Sequence, residues 1–176
     1  METLSFSMQR TCSILEATPG ILESYLGVIS PDWLTVREHE KAWSPLEILN
    51  HLILGEETDW IPRALIMLSD AEDKSFEPFD MEGHLLAGAA VPVEQGLARF
   101  RQLRHENLQQ LMSWNLSPED LERTGLHPEL GRVYLRQHLA TWVVHDLSHL
   151  AQLARTMVRA YGEHTGPWKK FHSLLR

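Results

Sequence analysis

Between about Val133 and Tyr161 the chain leaves itself one secondary structure. Leu135, Leu139, Trp142, His149, Leu153 and Met157 recur at steps that, at 100° per residue, put them on one side of a helix. A helix with one apolar face is stable only when other helices cover that face. The same period runs through most of the sequence, and no run alternates β-branched with polar residues for long enough to suggest a sheet, so the pattern predicts an all-α protein.

Three further long helices are predicted. The first runs from about Leu4 to Val28, with Thr18-Pro19-Gly20 either kinking or restarting it. The second begins at "WSPLEILNHL", where Ser44 caps, Pro45 takes the first helical position and Glu47 completes a capping box. It continues to about Leu68, with a kink expected near Pro62. The third spans roughly Pro92 to Trp114, with Leu97, Phe100, Leu103, Leu108 and Leu111 as its apolar stripe. Shorter pieces complete the plan: a capped turn of helix at Ser117–Asp120, a turn at His127–Gly131, and a helix stop at Gly162. The tail beyond it is expected to fold Trp168 and Phe171 back onto the bundle. The fold class is therefore a four-helix bundle with short extra helices and a long acidic loop, residues 69 to 90, between helices 2 and 3. That loop is expected to act as a crossover. It carries Phe76, Phe79 and Met81, which either cover a cavity or plug the outside of the bundle.

Composition limits what such a bundle does. At 176 residues, 43% hydrophobic and 23% charged, residues 1–176 read as a single domain. A net charge of −8 argues against nucleic acid and acidic membrane surfaces as partners and leaves small molecules and proteins. No signal-like segment opens the chain, so the expected location is cytoplasmic. Cys12, the only cysteine, excludes an internal disulfide or a multi-cysteine metal site and reads as a small buried hydrophobe. The six tryptophans, at helical spacing, read as bundle core.

In the apolar face of the last helix stands "HDLSH". His145 and His149 are one turn apart, a separation at which two imidazoles can bind one ion. Ten histidines in 176 residues give about 0.6 such pairs by chance, so the spacing needs a third ligand to carry weight. His51 is the best candidate, because it sits mid-helix among Ile48, Leu52 and Leu54. Its alternative is a core histidine satisfied by a backbone carbonyl. Asp146 is expected behind the ligands or bonded to an indole N–H, and Gln152 either lines the cavity or is a flanking polar residue. His39, His84, His105, His127, His138, His164 and His172 read as solvated, and Glu56 and Glu57 as surface or interhelical charges.

The segments "WSPLEILNHL", "HPELGRVYLRQHLATWVVHDLSHLAQLAR" and the closing "GPW" at Gly166 to Trp168 resemble the DinB-like (DinB/YfiT) superfamily of bacterial four-helix bundles over nearly the whole chain. The resemblance implies a divalent metal ion on one histidine of the second helix and a pair on the last, the positions of His51, His145 and His149. Zinc and nickel are the ions that imidazole ligands suit best. Three neutral imidazoles leave coordination positions open for water or substrate. Characterised members include transferases and isomerases that use bacillithiol or mycothiol. The resemblance thus implies a metal-dependent transferase that activates a low-molecular-weight thiol for attack on small electrophiles. Dimers are common in the family, which makes a homodimer the implied state. Two alternatives stand beside this reading. One is a metal-dependent hydrolase in which Asp146 replaces the glutamate of H-E-x-x-H. The other is a non-enzymatic, stress-associated bundle whose ion stabilises helix packing or an interaction surface.

Overall fold

The computed structural model describes residues 3–80, 83 and 91–175. Its helices are α1 (Met8–Leu26), α2 (Pro31–Thr35), α3 (Pro45–Thr58), α4 (Trp60–Leu68), α5 (Val93–Ser113), α6 (Pro118–Leu121) and α7 (Leu135–Tyr161). A hairpin, β1 (Thr124–His127) and β2 (Gly131–Tyr134), lies between α6 and α7, and 3-10 segments at Gly162–Phe171 and Ser173–Leu175 follow. Among the described residues, no helix is long and apolar enough to cross a membrane.

The architecture is a four-helix bundle. Both α1 and α3 pack on α5 and α7, and α4 continues the line of α3 along α7. The α3 and α5 helices approach closely at Gly96, where a Cβ would stand 3.1 Å from Leu49 Cδ2. Because these two helices are direct neighbours, the 69–90 connection is not the crossover that its length suggests. The diagonal steps are made by residues 27–44, between α1 and α3, and by residues 114–134, between α5 and α7.

The capping box at α3 forms as its sequence dictates. Ser44 Oγ accepts from the Glu47 N–H, and the Ser44 N–H donates to Glu47 Oε2. Farther along, the helix breaks at Asp59 rather than at Pro62. A proline ring clashes with the carbonyl four residues before it, here that of Thr58, so the disturbance lands upstream of the proline.

The other proline has the opposite outcome, since α1 runs unbroken through Pro19. Lacking an N–H, Pro19 cannot serve the carbonyl of Leu15, and Arg104 from α5 supplies the donor instead, with Nη1 2.7 Å from Leu15 O. Arg104 is 1% exposed, and its guanidinium also makes a two-pronged contact with Asp146 of α7, at 2.7 and 3.1 Å. Its Nη2 reaches Glu56 Oε1 of α3 at 2.8 Å. Glu56 accepts two further bonds, from Trp142 Nε1 at 3.0 Å and from Asn107 Nδ2 at 3.0 Å. Burial pushes the Glu56 carboxyl up in pKa, against the pull of Arg104 and Asn107. This layer separates two apolar clusters, one around Leu15, Trp60 and Trp142 and the other around Leu22, Leu49 and Phe100.

Of the two places open to Glu56, surface or interhelical, the structure takes the interhelical one. Within the helical fold, the turn at His127–Gly131 closes a short hairpin that the pattern did not predict, and the last helix starts at Leu135. A further expectation fails. Trp168 and Phe171 are 67% and 68% exposed, so the tail packs on α7 without burying either ring.

Candidate metal centre

His51 comes from the middle of α3, and His145 and His149 from successive turns of α7. The structure brings all three together. His145 Nε2 stands 3.0 Å from His51 Nε2 and 3.1 Å from His149 Nε2, and among the described residues this is the group of three that could hold an ion. Three lone pairs directed at one point repel one another unless a proton or a cation lies between them. Burial, then the neighbouring imidazoles, pushes the His145 pKa down to about 3, so this ring stays neutral and keeps its lone pair. The donor set fits a divalent ion of borderline character.

Gln152 lies behind the ligands. Its Oε1 is 2.9 Å from His149 Nδ1, which fixes the proton there and leaves Nε2 as the ligand atom. Trp43, in the loop before α3, packs its ring 4.7 Å from His51 and stacks on His149 at 6.0 Å. Trp60 meets His145 edge-on at 5.1 Å. Asp146 is not part of this shell. It is fully buried, with both oxygens on Arg104, and the indole N–H it was expected to bond goes to Glu56.

The triad opens into a cavity of about 350 Å³ between α3, α4, α7 and the hairpin. Loop 69–90 contributes to it in two ways. Phe76 is buried in the cavity wall, held by a short pairing in which its N–H donates to Leu126 O and the Leu126 N–H donates to Lys74 O, both at 2.9 Å. It sits against Gly125, where a Cβ would stand 2.4 Å from the Phe76 ring. Phe79 reaches the triad, edge-on to His51 at 5.6 Å. Both rings thus line the cavity, Phe79 beside the triad and Phe76 at the end where the hairpin lies. Met81 lies outside the described residues.

The remaining histidines divide. His39, His105, His164 and His172 are exposed, and His84 lies outside the described residues. His127 and His138 line the cavity. His138, expected to be solvated, is 8% exposed, with Nε2 2.9 Å from Trp60 O. A clue was present in the sequence, because His138 stands beside Leu139 and one turn before Trp142 in the apolar face. Burial pushes its pKa down to about 4, well below the ordinary 6.5. The unfolded chain therefore takes up a proton between pH 6.5 and 4 that the folded chain refuses. Stability from this group is complete above pH 6.5 and falls as pH drops towards 4, by about 3 kcal/mol. His138→Gln keeps a donor for Trp60 O and cannot titrate. Denaturant unfolding at pH 7, 5.5 and 4.5 is expected to show a shallower acid loss in this variant than in the wild type.

Comparison with known proteins agrees with this picture. A family model described as the DinB superfamily matches residues 14–153. A protein of Oceanobacillus iheyensis carrying the name "Putative metal-dependent hydrolase" is 25% identical over 140 residues, 79% of each chain. YfiT from Bacillus subtilis, described as "a probable metal-dependent hydrolase with an unusual four-helix bundle topology", superposes with a TM-score of 0.73 at 19% identity, over 92% of this chain and 93% of that one. TT2238, a four-helix bundle protein, gives 0.52 at 22% identity, over 84% and 98%. At these identities the two structural likenesses speak for the fold.

Proposed function

This chain belongs to the DinB superfamily, and we propose that it is a divalent-metal-dependent enzyme acting on small molecules, with zinc or nickel held by His51, His145 and His149. The observation that carries the reading is the convergence of three Nε2 atoms on the wall of a cavity large enough for a small substrate. When bound, the ion supplies a Lewis acid that lowers the pKa of a coordinated water or thiol. The chain's own residues do the rest. Gln152 orients His149, Trp43 and Phe79 shield the imidazoles from bulk water, and the cavity beside them accepts the substrate.

Our finer reading is transfer of a low-molecular-weight thiol to a small electrophile. It is favoured by the place of Asp146: this carboxylate, beside the ligands in sequence, is committed to Arg104 and cannot serve as the general base of an H-E-x-x-H-like hydrolase. A thiol needs less help to lose its proton than water does. Hydrolysis is the second reading, supported by the printed name of the Oceanobacillus iheyensis relative.

Zinc- or nickel-loaded protein incubated with cysteine and 1-chloro-2,4-dinitrobenzene discriminates them. Transfer joins the thiol sulfur to the ring carbon, releases chloride and gives the proton to solvent. Thioether formation above the spontaneous rate, absent in His149→Ala, is the expected result. Metal-dependent cleavage of p-nitrophenyl acetate without any thiol requirement would instead establish the hydrolase. Neither activity, with the ion tightly held, would leave a binding protein.

A further inference from the structure

The cavity is longer than the metal site. Its α7 wall runs from His149 through His145 and Thr141 to Gln137, a rise of about 18 Å at 1.5 Å per residue. At the end away from the triad, polar groups collect around the buried ring of Phe76. Arg63 Cζ lies 5.1 Å from its centroid, and the rings of His127 and His138 each lie 6.4 Å away.

Most of the hydrogen-bonding capacity at that end is already used. His138 Nε2 bonds Trp60 O, Gln137 Oε1 accepts the Tyr134 N–H, and Thr141 Oγ1 donates to Gln137 O. Arg63 Nε lies 2.8 Å from Asp59 Oδ1, and its Nη2 donates to Glu77 O. His127 Nδ1 accepts from the N–H groups of Glu129 and Leu130 at 3.2 and 3.3 Å, which places the proton of the neutral ring on Nε2. The donor groups that remain with no acceptor among the described residues are Arg63 Nη1, His127 Nε2 and the Gln137 amide Nε2, all on residues that line the cavity. A cavity wall that offers these donors asks for an oxygen acceptor, and the guanidinium among them favours an anionic one.

We propose that Arg63 and His127 form a subsite for a carboxylate at the tail of an elongated substrate whose reacting end lies at the histidine triad. The placement of the reacting end rests on the metal-dependent reading above; the carboxylate subsite does not. The nearby Asp59 is the one group that would prefer a cationic tail. Its Oδ1 is taken up by Arg63, and burial pushes its carboxyl up in pKa against the pull of Arg63 and then of His127, so a substrate carboxylate would share these two donors with it.

The test is made on protein stripped of metal by a chelator, so that no ion can coordinate the probe. Hexanoate, hexanamide and hexylamine are titrated separately and binding is followed by ligand-observed NMR. Hexanoate is expected to bind at least about tenfold more tightly than either of the others, and Arg63→Gln or His127→Phe to remove that preference. Equal or tighter binding of hexanamide or hexylamine, or no binding of hexanoate, overturns the subsite. The wild-type preference needs no variant, so a misfolded Arg63→Gln protein does not rescue the idea. Hexanoate binding by a protein that takes up no ion would defeat the metal reading alone, and ion binding without hexanoate binding would defeat the subsite alone.

Discussion

Replacing Arg104 with methionine is expected to cost about 3–5 kcal/mol of folding stability, a fall of roughly 10 °C or more in Tm for a chain of this size. Methionine fills much of the volume, so the loss is electrostatic. The substitution strands the buried Asp146, leaves the buried Glu56 with only the neutral donors of Trp142 and Asn107, and takes from the Leu15 carbonyl, which Pro19 leaves without an N–H, the side-chain donor that serves it among the described residues. Breaking one member of a buried charge network costs far more than removing the network, because the remaining charges stay buried without partners. Adding Glu56→Gln and Asp146→Asn to the Arg104→Met chain should therefore restore a large part of the loss. Calorimetry of the single and triple variants checks this. A single variant within about 1 kcal/mol of the wild type would mean that the layer contributes nothing net.

That network shows what the sequence can and cannot reveal. Arg104 stands one turn after Phe100 and one before Leu108, Glu56 one turn after Leu52, and Asp146 one turn after Trp142. Each charge therefore interrupts the apolar stripe of a different helix. Read together, one cation and two anions on three core-facing stripes must meet, whereas read one helix at a time none of them names its partner. The unbroken passage of α1 through Pro19 was harder to foresee, because whether a proline breaks a helix depends on what another helix offers the orphaned oxygen, here that of Leu15.

The main helices were legible because period and caps agree, as at Ser44 and Glu47. The hairpin was not. Its strands, Thr124–His127 and Gly131–Tyr134, are four residues each, too short to establish an alternation, and Leu126 points outward at 51% exposure. Of the candidate site residues, His51, His145, His149 and Gln152 come together in space, while Asp146 belongs to the layer behind. Trp43 and Phe79 carried no local signal of their places at the triad, since both lie in connections whose path is set by tertiary packing.

The second large effect concerns the ion. Metal-stripped protein titrated with zinc or nickel is expected to bind about one equivalent. In a thousandfold excess over the dissociation constant, the ion should stabilise the fold by about 4 kcal/mol. His51→Ala and His149→Ala are each expected to abolish both the stoichiometric binding and the stabilisation. Gln152→Ala, which only frees the His149 ring, should weaken binding about 10- to 100-fold without abolishing it.

X-ray absorption on the zinc-loaded protein probes the centre itself. Three imidazole nitrogens at about 2.0–2.1 Å, with at least one exchangeable oxygen ligand from solvent, is the result that a site open to the cavity requires. A closed shell of four protein ligands, or a spectrum unchanged in His51→Ala, would contradict it.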